Sequence, residues 1–480
     1  QRQMCIRDSS YRGPIQENGL PNIFNVFDLD DTKKRAEKVG WHDQTQSVFA
    51  SVEVGWKQML YLTATGRNDW ASQIAGSPSK SFFYPSVGLS WVPSSTWDLG
   101  NAFSYLKLRG SIASVGLPFP RFLTTPTYEY DATGKIWKDK THYPIGDLKP
   151  ERTITYEVGI DARLWKNISL SASWYSADTK NQTFDPALPP SSSYTTIYLQ
   201  TGHVRNTGVE LSLGYSNQWR DFGWSSNFTF SWNKNEIIDL ASGALNPVTG
   251  QPLNLSELDI KGLGKAKYIL KQGGTLGDLY TTSDLKFNDN GYVEVDKAGN
   301  LLLTDEGDQI YLGSVFPSEN LAWRNDFRYK GVNLGLLFTG RIGGICYSAT
   351  QANMDLYGVS EVSAAARDAG GVLINGREMV DAQKWYQAIG SQSGLPQYYT
   401  YSATNFRLQE LSLGYTLPRK WFRNKMGLTV SFVGRNLWMI YCKAPFDPEA
   451  VASTGLSYQG IDYFMMPSLR SLGFNVKFEF

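Results

Sequence analysis

Along most of this chain apolar residues alternate one by one with small or polar ones, and that period of two restricts the fold more than any other feature. Val209, Leu211, Leu213 and Tyr215 interleave with Glu210, Ser212 and Gly214, and Phe228, Phe230 and Trp232 with Asn227, Thr229 and Ser231. Tyr156, Val158, Ile160, Ala162 and Leu164 oppose Glu157, Gly159, Asp161 and Arg163. At the chain end Leu472, Phe474, Val476, Phe478 and Phe480 oppose Gly473, Asn475, Lys477 and Glu479. Successive side chains of a strand point to opposite faces, whereas a helix repeats every 3.6 residues, so the pattern predicts strands with one greasy and one wet face. Such segments fall near 46–54, 57–66, 82–91, 103–114, 154–164, 168–178, 205–217, 224–235, 318–329, 332–341, 405–415, 427–437 and 469–480. There are about thirteen, each close to the ~9–11 residues that a tilted membrane strand needs.

A soluble sandwich also alternates, and the connections discriminate. Tight turns at Gly55 to Lys57, Trp165 to Asn167, Arg220 to Gly223, Lys330 to Gly331 and Pro418 to Lys425 take turns with long segments at 236–317, 342–404 and 439–467. Short turns at one end and long loops at the other are the habit of an outer-membrane barrel, with the turns in the periplasm and the loops outside. Mean hydropathy is −0.33 and no apolar run approaches the length of a spanning helix, so a membrane crossing has to be made by a closed sheet. The fold class expected is therefore all-β: a transmembrane antiparallel β-barrel, incomplete, with long extracellular loops and short periplasmic turns. The alternative is a secreted carbohydrate-binding β-sandwich, for which a Greek key of two packed sheets would speak.

Two details follow from the same pattern. Thirteen is an odd number where single-chain bacterial barrels close with an even one, and a last strand running down to the periplasm leaves the first one also running down. At least one upward strand is expected upstream. In 405–415, Phe406 and Leu408 share one parity and Leu411, Leu413 and Tyr415 the other, with Gln409 and Glu410 at the switch, which predicts a β-bulge.

The remaining chemistry is sparse. A net charge of +1 gives no footprint for nucleic acid. The densest basic cluster, Lys33, Lys34, Arg35 and Lys38, is offset by Asp28, Asp30, Asp31 and Glu37 and reads as a solvated loop. Cys5, Cys346 and Cys442 are odd in number and far apart, so no disulfide framework follows. His42, His142 and His203 have no metal-ligand spacing, and no Gly-x-Ser-x-Gly elbow, HExxH or P-loop occurs. No enzyme, metal or cofactor is expected. Residues 1–9 (QRQMCIRDS) have neither an apolar run nor a small-residue cleavage site and read as a sequencing artefact of adaptor origin. Residues 10–45 are expected as an extracellular loop remnant and 46–480 as the C-terminal part of the barrel.

Several stretches resemble the SusC/RagA-type TonB-dependent transporters of the Bacteroidetes outer membrane. They are Gly66-Arg67-Asn68-Asp69-Trp70, Ser81-Phe82-Phe83-Tyr84-Pro85-Ser86-Val87-Gly88-Leu89-Ser90-Trp91, Leu148-Lys149-Pro150-Glu151-Arg152-Thr153 and Val204-Arg205-Asn206-Thr207-Gly208-Val209-Glu210-Leu211. Further on come Arg407 to Pro418 (RLQELSLGYTLP) and Gly434-Arg435-Asn436-Leu437-Trp438. The resemblance implies a barrel of about 22 strands, of which these would be the last thirteen, with a plug domain, the TonB-contacting segment and a signal peptide preceding them. It implies the cell outer membrane, TonB as energy source, a SusD-like lipoprotein over the mouth, and import of a bulky nutrient, an oligosaccharide ahead of a peptide. In this family an Asp-rich, calcium-like loop often precedes the 318–329 strand; here Asp305-Glu306-Gly307-Asp308 lacks the full pattern, and Asp289-Asn290-Gly291 reads as a hairpin turn.

The alternation also assigns roles. Lys107, Arg109, Glu157, Asp161, Arg163, Glu210, Arg324, Asp326, Arg328, Lys477 and Glu479 fall on the wet parity and are expected to face the lumen. Trp56, Trp70, Trp91, Trp165, Trp219, Trp224, Trp232, Trp421 and Trp438 fall near strand ends, where outer-membrane lipid headgroups place aromatic girdles. Val476, Phe478 and Phe480 look like the signal read by the barrel assembly machinery. The loop aromatics Trp385, Tyr386, Tyr398, Tyr399 and Tyr401 are the substrate-binding candidates, ring faces being suited to flat sugar or peptide surfaces.

Overall fold

A computed structural model describes residues 2–12, 29–30, 35–124, 129–131, 136–138, 142–143, 148–184, 196–240, 255–305, 307–453, 455 and 458–479. Its main feature is a fourteen-stranded antiparallel sheet in which every strand lies beside its neighbours in sequence. The strands are β1 Arg2–Arg12, β2 Arg35–Trp56, β3 Leu60–Ala71, β4 Phe82–Trp91, β5 Phe103–Leu117, β6 Glu151–Leu164 and β7 Ile168–Phe184. They continue with β8 Leu199–Trp219, β9 Phe222–Asp239, β10 Glu319–Tyr329, β11 Val332–Ile342, β12 Asn405–Leu417, β13 Gly427–Cys442 and β14 Ser471–Glu479. β1 and β14 are the two edges and do not pair with each other. A single meander of this kind removes the sandwich alternative, which needs two sheets and crossing connections.

All thirteen expected strands are present, and β1 is an addition. It pairs from Arg2↔Thr45 to Arg12↔Arg35, so Arg35–Thr45, expected as loop, is the first half of β2. Main-chain groups on an open strand edge accept a partner whatever its side chains are, which is why no alternation announced this hairpin. Other strands also outrun their expected limits at the loop end. β7 continues through Thr179-Lys180-Asn181-Gln182 and β8 begins at Leu199. Beyond the apolar band the ladder persists without a greasy face to mark it.

Register decides the two faces. Val158 lies opposite Gly110 and Trp174, Trp174 opposite Val209, Val209 opposite Trp232, and Leu213 opposite Leu170 and Phe228. These side chains stay exposed: Val158, Trp174, Val209, Leu213, Leu413, Phe474 and Val476 are all open to the surroundings, Phe474 at 80%. The greasy faces therefore do not meet in a core. The bulge expected near Gln409 is there: Phe338 pairs with Leu408 but Leu337 with Glu410, so Gln409 is the extra residue. It brings Phe406 and Leu408 onto the same face as Leu411, Leu413 and Tyr415 despite their opposite sequence parity.

Tight turns close one end of the sheet. Left-handed conformations at Lys57 and Gln58, Trp165 and Lys166, Arg220, Lys330 and Arg423 and Asn424 make the reversals. At the other end the long segments form a folded cap, where the sequence had suggested only loops. Strands Glu257–Leu263, Ala266–Lys271, Asp278–Thr281 and Ile310–Ser314 make one small sheet, and Ile345–Ser348, Thr400–Ser402 and Ile461–Asp462 another. Three helices accompany them, α1 Ala349–Leu356, α2 Glu361–Asp368 and α3 Ala382–Ile389, capped by the side chains of Ser348, Ser360 and Asp381. The largest buried cluster is here, around Tyr268, Leu279, Leu285, Tyr347, Leu395, Tyr399 and Ile461. Asn288 to Gly291 forms the expected hairpin turn, with Gly291 N donating to Asn288 O at 2.9 Å.

Candidate functional site: the polar face and the cap

All eleven residues expected on the wet parity lie on one face of the sheet, opposite the apolar one. In register, Lys107 lies across from Asp161, Arg109 from Gly159, Arg163 from Ser169, Glu210 from Ser173 and Ser231, Arg324 from Asn227 and Lys477 from Thr429, although Lys107 makes no ion pair with Asp161. Arg109 reaches diagonally to both sides of Gly159. Its guanidinium pairs with Glu157 and stands 3.6 Å from Asp161, and Ser171 donates to Asp161 at 2.7 Å. A Cβ on Gly159 would lie 2.8 Å from Arg109 Nε, so any side chain here obliges the guanidinium to shift. On β10, four strands from Gly159, Arg324 makes two bonds to Asp326 (2.9 and 3.0 Å) and approaches Glu410 at 3.5 Å; Arg435 closes on Glu410 at 3.0 Å. Glu410 is on this face because of the Gln409 bulge. Lys477 and Arg419 both bond Glu479, and no acidic partner of Lys107, Arg163 or Arg328 is present among the described residues.

The family-like motifs acquire physical roles. Arg67 donates to Asp69 at 2.7 Å and to Ser47 at 2.9 Å, and the Tyr84 hydroxyl donates to Asp69, tying the first motif to the second. Leu148 is buried with Ile74, Phe119 and Leu123 under the loops; Arg152 donates to Ser114 at 2.9 Å and Glu151 accepts from Thr183 N at 2.8 Å. Arg205 of the Val204-to-Leu211 motif and His203 just before it converge on Asp178 at 2.9 and 2.8 Å. Gly208 lets the Tyr175 ring cross β8 to donate to Asn233 at 3.1 Å; a Cβ there would lie 2.5 Å from the ring.

The polar face carries a furrow of about 360 Å³ over β7 to β10, closed at one side by Arg109 from β5, with Ser171, Ser173, Glu210, Ser212 and Asn320 on its walls. Hydroxyls, an amide, the Glu210 carboxylate and the ion-paired Arg109 can exchange hydrogen bonds with a hydrated solute or a polar protein surface. Nothing in this set resembles a nucleophile with an adjacent base, and among the described residues no cluster of three or more His, Cys, Asp or Glu could hold a metal.

A buried ion cluster joins wall and cap, and the sequence reading missed it. Arg407, 4% exposed, makes bonds of 2.8 and 3.0 Å to Asp447 and stands 3.0 Å from Glu449, which also faces Arg341 at 3.6 Å. Burial works to raise the pKa of Asp447, but bonds from Arg407, Ser468 and the Glu449 N–H outweigh it and hold the carboxyl below its usual range. An Asp-Pro-Glu tripeptide following an Asn-Leu-Trp strand end was the available signal.

The aromatic candidates divide. Tyr386 and Tyr399, 6% and 2% exposed, belong to the buried core of the cap, and burial pushes the Tyr399 hydroxyl well above its ordinary pKa. Their rings are spent on packing, which corrects the expectation that they are presented to a substrate. Trp385 and Tyr398 pack edge to face at 6.1 Å and Tyr401 against Phe446 at 5.9 Å; Tyr398 keeps an exposed edge. Val476 and Phe478 are exposed on β14, while Phe480 lies outside the described residues. Cys346 and Cys442 are free thiols, and burial pushes Cys346 up to about 12.

A meander with an exposed apolar face, an ion-paired polar face, tight turns at one end and a folded cap at the other defines an outer-membrane β-barrel protein. The comparisons make the class specific: residues 7–314 match the family described as "TonB dependent receptor-like, beta-barrel", and the chain belongs to that family. It is 25% identical over 468 residues to TonB-dependent receptor P3 of Formosa agariphila, covering 90% of this chain and 45% of that protein. To TonB-dependent receptor SusC of Bacteroides thetaiotaomicron it is 20% identical over 343 residues, covering 69% and 32%. In fold it is similar to the RagAB peptide importer in its closed-closed state, with a TM-score of 0.70 and 18% identity over 99% of this chain and 52% of that one. The chain spans about half the length of P3. The family consists of outer-membrane receptors and transporters, not enzymes.

Proposed function

We propose that the protein of which this chain is a part imports a bulky polar nutrient, an oligosaccharide, across the outer membrane in a TonB-dependent cycle with a SusD-like surface lipoprotein. One observation carries the reading: the sheet has one continuous greasy face and one polar, ion-paired face from β2 to β14, with a folded cap at the end where the long loops gather. The interior hydroxyls and paired charges suit a hydrated permeant and a plug, and the cap offers a lipoprotein a shaped mouth. The eleven wet-face residues are the lumen lining in this reading. Trp385, Tyr398 and Tyr401 are the aromatic contacts left for substrate. The relative named SusC supports the lipoprotein partner, and TonB would act through a part outside this chain. Val476 and Phe478, with Phe480, would be read by the barrel assembly machinery.

A peptide is the second reading, favoured by the match of almost the whole chain to a peptide importer. Both are tested by deleting the gene and measuring uptake of fluorescent oligosaccharides and of peptides by whole cells. Loss of oligosaccharide uptake is the expected result. Loss of peptide uptake alone moves the substrate to the second reading, and unchanged uptake of both defeats the proposal. Co-purification of the full-length protein from outer membranes with a surface lipoprotein is expected; its isolation alone, in mild detergent, counts against the partner.

A further inference from the structure

The end of the sheet closed by tight turns carries a concentration of positive charge that the barrel wall does not use. The turn between β12 and β13 reads Pro418-Arg419-Lys420-Trp421-Phe422-Arg423-Asn424-Lys425-Met426, with four cations and no acid. Arg419 folds back onto Glu479 at 3.3 Å. Lys420, Arg423 and Lys425 are exposed and have no acidic partner among the described residues. Between them Trp421 is 67% exposed, its indole available beside three free cations. The adjoining turn, held by Thr416 N donating to Gly331 O at 2.7 Å, carries Lys330, whose charge faces Asp221 at 3.9 Å and so adds little to the cluster. Immediately above, Tyr415, Leu413 and Phe478 continue the exposed apolar face.

We propose that this turn cluster binds anionic phospholipid of the inner leaflet of the outer membrane, with the phosphate held by Lys420, Arg423 and Lys425 and the upper acyl chain laid along Trp421 and the apolar face. Three features point to a lipid as the occupant. The cations lie where the greasy band ends, which is headgroup depth. An indole placed there partitions to the interface. Charge complementarity requires an anion, and anionic glycerophospholipid is the one that meets both the cations and the apolar wall.

The test uses the full-length protein in nanodiscs of phosphatidylethanolamine with and without phosphatidylglycerol, followed by native mass spectrometry of retained lipid. Wild type is expected to retain phosphatidylglycerol in preference to phosphatidylethanolamine. The triple variant Lys420→Glu, Arg423→Glu, Lys425→Glu is expected to lose that preference by about a hundredfold if each cation contributes as basic residues do near anionic membranes. Equal preference in variant and wild type overturns the proposal, as does displacement of the lipid by inorganic phosphate alone or by an acidic protein. Should the variant not assemble, wild-type retention at rising salt decides, since a charge-held lipid is released and a merely apolar contact is not.

Discussion

Gly159 has no side chain, and that is what lets the Arg109 guanidinium lie across β6 between two carboxylates. An alanine in a strand interior ordinarily stabilises by about 0.5–1 kcal/mol over glycine. Here the added methyl meets Arg109 Nε at 2.8 Å, the far end of a flexible side chain that can give way, so Gly159→Ala is expected to forfeit that gain and come out close to neutral. Denaturant unfolding of the refolded barrel measures it, and a stabilised variant would refute the account. Arg407 makes the opposite case, a charge removed from water and kept there by its partners. Asp447→Ala leaves it half-paired, at a cost of about 2–3 kcal/mol with Glu449 still in place, read as a lowered unfolding midpoint. The pH dependence has a definite sign. Folded Asp447 titrates below its unfolded value, so its contribution is complete above the unfolded pKa of about 3.9 and is lost as pH falls through the lower folded value. Protease access to 443–470 should therefore rise on acidification below that range, and Asp447→Asn should open the segment at neutral pH.

At the scale of the element, β12 shows how one extra residue preserves two faces. Without the bulge at Gln409, either Phe406 and Leu408 or Leu411, Leu413 and Tyr415 would turn toward the polar side. Deleting Gln409 is expected to abolish heat-modifiable migration of the full-length protein on gels, whereas Gln409→Ala is expected to leave it unchanged, because the bulge needs the residue's backbone and not its amide. Equal behaviour of the two variants would show that register in β12 is set elsewhere. The same element illustrates what a sequence discloses: a break in parity next to Gln-Glu is visible by inspection. The extra length of β7 and β8 is not, since past the apolar band hydrogen bonding continues while the pattern that reveals a strand stops.

For the whole molecule the physical claim is that one side of the wall meets hydrocarbon. Val158→Arg or Val209→Arg, on the exposed apolar face, should each cost about 2–4 kcal/mol at mid-depth in folding from denaturant into lipid vesicles. Ser212→Arg on the opposite face should cost much less. Comparable penalties on both faces would remove the basis for calling either side the exterior. The sequence by itself determined thirteen of the fourteen strands, their two faces, the tight turns, the bulge and the family motifs, because side-chain direction along a strand and the chemistry of a turn are properties of neighbouring residues. Only the tertiary structure decided that the long segments fold into a cap, that Tyr386 and Tyr399 belong to its core, and that Arg407 clamps Asp447 and Glu449. Those outcomes depend on contacts between residues forty to two hundred positions apart, as in Arg407 with Asp447 or Tyr268 with Gln459, and no local period records them.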